Sequence, residues 1–183
     1  MRIISGIYKG RRITGSSDLS IRPTTDRIKE LIFNVLQDFP ANRRVTDIFA
    51  GSGNLGIEAL SRGAEHVIFV ENSAASVSVL EDNLSKLNIP DQNYTIIKQD
   101  ALDYATTFRR SSELFLIDPP FKYPSLQELI DHLLLNKNFK NNAVVVLEHE
   151  INNPIMLETD HYNIFKQKQK GRSLISFIEK VGV

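Results

Sequence analysis

Between Arg43 and Leu147, apolar runs of five residues alternate with stretches of helical period, and this alternation restricts the fold more than any other feature of the chain. The runs are V-T-D-I-F, H-V-I-F-V, Y-T-I-I-K, L-F-L-I-D and A-V-V-V-L. Between them, Leu55 to Arg62 reads as a helix, and Val77, Leu80, Leu84 and Leu87 share one helical face. A short helix is expected near Asp103, and another opens at Ser125, with Glu128 three residues on as a capping box. Strands alternating with helices predict a parallel sheet covered on both faces. Strands buried on both sides have no polar face, which is why these runs are nearly continuous in apolar residues.

The flanking segments break the pattern. Y-N-I-F-K-Q-K-Q-K and R-S-L-I-S-F-I-E-K meet at Gly171, and so short a link permits only an antiparallel pair. Upstream, R-I-I and Y-K-G-R-R-I read as two short strands joined around Ser5-Gly6, followed by a loop over residues 15 to 23. Thr24 or Thr25 then caps a helix whose apolar face is Ile28, Leu31, Ile32, Val35 and Leu36. The expected division is a basic β-hairpin arm and loop over residues 1–23 and an α/β domain over residues 24–183.

A chain of 183 residues buries about 70% of its unfolded surface and needs no covalent staples. It has no cysteine, which excludes disulfides and thiolate metal sites. The four histidines are scattered without an H-E-x-x-H, so no metal is expected. No apolar run approaches the roughly 20 residues of a membrane span, and the N-terminus lacks a signal-peptide core. A cytoplasmic protein is therefore expected. The net charge is zero, yet residues 1–29 hold Arg2, Lys9, Arg11, Arg12, Arg22, Arg27 and Lys29 against Asp18 and Asp26. A basic stretch on an acidic body predicts a polyanionic partner.

The first strand of the series runs into D-I-F-A-G-S-G-N-L-G, where Gly51, Gly53 and Gly56 form G-x-G-x-x-G between a strand and a helix. Glu71 closes the second strand and can hold ribose hydroxyls. These features alone suit NAD. Asp47 before the loop can receive a ligand ammonium group, and Asp100 after the third strand can accept from an adenine amine. S-adenosylmethionine carries an ammonium, a ribose and an adenine, but no pyrophosphate. Three acids at successive strand ends favour it, although each alone would pass for a helix cap or a solvated turn. A dehydrogenase would also need a substrate domain, for which the chain has little room.

The fourth strand ends in D-P-P-F, Asp118 to Phe121. Asp118 and the Pro119 carbonyl can accept the two N–H groups of an exocyclic base amine. That turns the nitrogen lone pair toward a methyl donor and stabilises the positive charge that develops on attack. Phe121 offers a face for stacking the base, and a paired base would first be flipped out.

D-P-P-F, together with M-R-I-I-S-G-I-Y-K-G-R-R-I, R-P-T-T-D-R-I-K-E-L-I-F-N-V-L and D-I-F-A-G-S-G-N-L-G-I-E-A-L-S-R-G-A, resembles the bacterial RsmD family, which methylates N2 of a guanine, conventionally 966, in 16S rRNA. The likeness runs from Met1 to about Phe121 and more weakly to Gly171. It implies a Rossmann-like class I methyltransferase fold, with S-adenosylmethionine as donor and the assembling small subunit as substrate. Asp47, Phe49, Gly51, Ser52, Gly53, Glu71, Asn72, Asp100 and Ala101 would bind the donor. Asp118, Pro119, Pro120 and Phe121 would form the amine site. Arg2, Lys9, Arg11, Arg12, Arg22 and Arg27 would meet RNA. Glu113 and Asn54 depart from the residues common in the family. Lys166, Lys168 and Lys170 read as a solvated strand face, and a monomer is expected. The rival readings are an N6-adenine methyltransferase, an NAD-dependent oxidoreductase and a non-catalytic RNA-binding assembly factor.

Overall fold

A computed structural model of the chain describes residues 1–15, 25–121, 123–157 and 161–181. The elements are α1 (Asp26–Leu36), β1 (Arg44–Ile48), α2 (Asn54–Ser61), β2 (His66–Glu71), α3 (Ala74–Lys86), β3 (Tyr94–Lys98), α4 (Ala101–Thr107), β4 (Leu114–Ile117), α5 (Leu126–Leu135), β5 (Val144–Glu150), β6 (Tyr162–Lys170) and β7 (Ser173–Lys180). They build one sheet in the order β3-β2-β1-β4-β5-β7-β6. β1 to β5 run parallel, while β7 is antiparallel to both β5 and β6. The parallel series and its antiparallel ending are therefore as expected, and the last strand lies inside the one before it.

Burial on both faces explains the apolar strands. Val45, Phe69, Leu114, Leu116 and Phe177 pack with α1, α2 and α3 on one side. Ile48, Val70, Phe115, Ile117 and Ile178 pack with α4 and α5 on the other. Among the described residues, no helix is long and apolar enough to cross a membrane.

Two local expectations need correction. Ser125 precedes α5, but its side chain makes no cap, because at ψ 30° it lacks the extended conformation that aims a hydroxyl at the first turn. Thr25 does cap α1, accepting from Ile28 N, but the buried face of that helix is Ile28, Lys29, Ile32, Phe33 and Leu36. Leu31 and Val35 are only half-buried. The face is rotated toward Lys29 and Phe33 because a polar partner for Lys29 lies beneath it.

That partner is Glu58 of α2. Its carboxylate lies 3.4 Å from Lys29 Nζ and 2.9 Å from Arg62 Nε, with both the Lys29 and Glu58 side chains fully buried. It also accepts the Ile4 and Ser5 N–H groups at 2.8 and 3.0 Å. Ile7 N and Tyr8 N donate to the carbonyl and hydroxyl of Ser61. Ile4, Ser5, Ile7 and Tyr8 thus give their N–H groups to α2 rather than to a hairpin ladder. The N-terminal pair is reduced to a single antiparallel bridge, Arg2 to Arg12, with backbone bonds from Ile3 to Arg11 and from Ile13 to Met1. Its connection is a wide turn through Gly10, not a tight one at Ser5-Gly6. Ile3 and Ile13 sit in the main core.

Gly6 makes the close approach possible. Its φ is +83°, and a Cβ there would lie 1.7 Å from the Ser61 carbonyl oxygen. Gly6→Ala is expected to lift the hairpin from α2 and destabilise the fold by about 1–3 kcal/mol. Thermal melts and hydrogen exchange at Ile7 and Tyr8 would show it; unchanged protection there would refute the docking.

Candidate active site

In a parallel sheet, ligands bind beyond the strand C-termini where the strand order reverses, here between β1 and β4. Ile48 pairs with Ile117, so the residues after these strands, Phe49–Gly53 and Asp118–Phe121, emerge side by side.

The glycine loop is held from inside the protein. Asp47 is 2% exposed, and its Oδ2 accepts the Gly56 N–H at 2.7 Å. A Cβ on Gly56 would meet Phe69 Cε1 at 2.3 Å and Asp47 Oδ2 at 2.9 Å, so glycine lets α2 settle on β1 and β2. Asp47 is thus the anchor of the loop. Burial pushes its carboxyl up to about 7; the Gly56 N–H opposes that shift and the neighbouring Glu71 adds to it. A carboxyl raised in the fold favours the native state fully below its unfolded value near 4, and that advantage is lost as pH rises through about 7. Asp47→Asn should remove up to about 4 kcal/mol of this pH dependence. Denaturant melts at pH 4.5 and 8 would check it, and parallel pH profiles for the two proteins would refute it.

Gly51 and Gly53 have φ of 54° and 83°. A Cβ on Gly51 would meet only the Phe49 carbonyl oxygen, at 3.9 Å, so the outer face of the loop is an open cradle. Phe49 itself holds φ 64°, a strained conformation for a non-glycine residue. At the tip of β2, Glu71 accepts from Gly51 N and from Ser73 N, each at 2.8 Å. This carboxylate clamps the loops after β1 and β2 together. Each of its oxygens keeps a second lone pair for a ligand hydroxyl.

Asp100 caps α4, accepting from Leu102 N at 2.8 Å, and its Oδ2 stands 3.5 Å from Asn72 Nδ2. Ser52 and Ala101 are buried. The Ser52 carbonyl accepts from Asn83. Cradle, hydroxyl acceptor and outer acid line up along the edge over β1, β2 and β3, which suits an amino acid joined to a ribose and a flat base.

Asp118, Pro119 and Phe121 are half-buried and Pro120 is exposed. Asp118 N lies 3.5 Å from the Ile48 carbonyl oxygen, tying this segment to the end of β1. The Pro120 carbonyl accepts from Tyr123 N and closes the turn. Tyr123 packs edge-on against Phe49 at 5.0 Å. Burial, and then Asp100, Glu128 and Asp103, hold its hydroxyl above the ordinary value. The sequence reading missed Tyr123. Its signal was a second aromatic two residues beyond Phe121. Also missed was Arg172, whose guanidinium stands 6.0 Å from the Phe121 ring centroid. It comes from the distant β6–β7 turn.

The basic N-terminal residues divide. Arg2 pairs with Asp26 at 3.3 Å. Arg11 donates to the Lys86 and Leu87 carbonyls, 3.0 Å each, capping the end of α3. Lys29 is fully buried. Lys9, Arg12 and Arg27 are exposed, and Arg22 lies outside the described residues. Asn54 receives the Lys29 ammonium, and Glu113 receives Arg44 N and Lys140, so both departures from the family pattern have structural partners.

The family model described as "Conserved hypothetical protein 95" matches residues 1–179. The Haemophilus influenzae protein named "Ribosomal RNA small subunit methyltransferase D" is 33% identical over 173 residues, 93% of this chain and 89% of the relative. The solved structure of "Putative methyltransferase yhhF" from Escherichia coli superposes with a TM-score of 0.88 at 29% identity, covering 98% of this chain and 97% of that one. A putative SAM-dependent methyltransferase from Streptococcus mutans shares the fold, with a TM-score of 0.71 at 14% identity, covering 87% of this chain and 50% of that one.

Proposed function

The chain belongs to the RsmD family of small-subunit ribosomal RNA methyltransferases, and from that premise we propose that it methylates the exocyclic N2 amine of a guanine, the family's position 966, in 16S rRNA. The observation that carries this reading is the pairing of β1 with β4, which sets D-P-P-F beside an open glycine cradle at the reversal of strand order. S-adenosylmethionine supplies a methyl group activated on a sulfonium. Gly51, Gly53, Glu71, Asn72 and Asp100 would hold it, with Asp47 and Ser52 shaping the loop from behind.

Asp118 accepts one N–H of the amine and the Pro119 carbonyl accepts the other. This pair orients the nitrogen lone pair and balances the charge that develops as the nitrogen–carbon bond forms. The amine proton, acidic only once the methyl is attached, leaves to Asp118 or to water. Phe121 and Tyr123 wall the base and keep water from the reacting nitrogen. The assembling small subunit is the proposed substrate, the cytoplasm the proposed location and a monomer the proposed working form.

The test is transfer of labelled methyl to small subunits from cells lacking this gene, followed by digestion to nucleosides. Label in N2-methylguanosine is the expected result. Label in N6-methyladenosine would overturn the base assignment. No label despite cofactor binding would favour a non-catalytic assembly factor.

A further inference from the structure

Lys166, Lys168 and Lys170 lie opposite Phe177, Ile175 and Ser173 of β7. Phe177 and Ile175 belong to the core on the α1 side, so the three ammonium groups project on that same face. All three lysines are exposed, and none forms an ion pair among the described residues. Across a groove of about 800 Å³ stands Arg27 of α1, with Glu30 as the one acid among the described residues of the groove wall. Phe165, 41% exposed, adds an aromatic face.

The strip has a direction. Ser173 pairs with Glu150 at the C-terminal end of β5, and Lys170 pairs with Ser173. Lys170 therefore stands at the edge of the sheet where D-P-P-F emerges. Arg172, two residues on, reaches the ring of Phe121. Alternate residues of a strand lie about 6.5 Å apart, close to the separation of successive phosphates along a nucleic-acid strand. Lysines on an outer strand also discourage foreign strands from pairing. That role, however, gives no reason for Arg27 and Arg172 to extend the row, or for the row to end at the base-binding aromatic.

Building on the rRNA reading above, we propose that this strip binds the phosphodiester backbone of the rRNA strand on one side of the target guanine and leads it to Phe121. The N-terminal segment is then the smaller part of the RNA surface, since Arg2, Arg11 and Lys29 are engaged within the protein.

The test compares two triple variants of the full chain. Lys166→Gln/Lys168→Gln/Lys170→Gln neutralises the strip. Arg109→Gln/Arg110→Gln/Lys137→Gln removes the same charge from exposed residues that follow α4 and α5, at the opposite edge of the sheet. Binding to a 16S rRNA transcript is measured over a salt series, with melting temperature and S-adenosylhomocysteine affinity as controls. The strip variant should bind about tenfold or more weakly, and its log K against log salt slope should fall by roughly 2–3. The control variant should change little. Unchanged slope and affinity in the strip variant would overturn the proposal and assign the lysines to guarding the strand. An equal loss in both variants would overturn it in favour of diffuse charge. If the wild-type chain methylates no rRNA, both this proposal and the reading it rests on fail. If it does methylate and the strip variant behaves as wild type, the strip alone fails.

Discussion

Asp118→Ala should lower kcat about 10²- to 10³-fold, the range found when one preorganised partner of a developing charge is removed. S-adenosylhomocysteine should still bind with near-normal affinity, because Asp118 stands at the end of β4 while the proposed cofactor groups ring the ends of β1, β2 and β3. The KM for RNA should rise little, since affinity comes mainly from phosphate contacts. Asp118→Asn keeps an acceptor oxygen but not the charge, and should fall between alanine and wild type. Single-turnover rates with pre-bound substrate give the cleanest measurement. If alanine left the chemical step intact, orientation of the amine would rest on backbone carbonyls alone. If it abolished cofactor binding, Asp118 would belong to the cofactor pocket instead.

The largest expected effect on stability comes from a residue outside the chemistry. Glu58→Ala would leave the Lys29 ammonium without its counter-ion in a fully buried site, still donating to Asn54 Oδ1 and the Arg2 carbonyl, and deprive Ile4 N, Ser5 N and Arg62 of their acceptor. Breaking a buried pair from one side costs about 3–5 kcal/mol, or roughly 6–20 °C in Tm for a domain of this size. The double variant Lys29→Met/Glu58→Leu should recover much of that loss, because an apolar pair needs no partner. Recovery should be partial, because the two N-terminal amides still lose their acceptor and Asn54 Oδ1 and the Arg2 carbonyl lose the Lys29 donor. Losses that simply add in the double variant would mean that the pair is not coupled.

The sheet was legible because strands covered on both sides are written as apolar runs, and β3, β6 and β7 match their expected segments almost residue for residue. The glycine loop was legible because G-S-G-N-L-G sits between such a run and a helix. The polar wiring was not. Lys29 sits three, four and seven residues before Ile32, Phe33 and Leu36, so its place on the inner face was visible in the spacing. Its partner lies far along the chain, and a charge count assigns it to the surface. The sequence points Glu71 at ribose hydroxyls, and only the fold shows that it also ties Gly51 to Ser73. Arg172 reaches Phe121 through the pairing of β5 with β7, which no local pattern encodes.

The placement of β7 between β5 and β6 also bears on how the chain is made. The chain leaves the ribosome N-terminus first. Five parallel strands can assemble as they emerge, but β6 follows them without a strand to join. It waits for Ser173–Lys180, which must slot between it and Val144–Glu150. Until then the outer edge of β5, with Val145, Val146 and Leu147, is an unpaired apolar template. A chain that stops short of Ser173 would keep that seam open, with five strands of the sheet built and their edge free to take up a foreign strand.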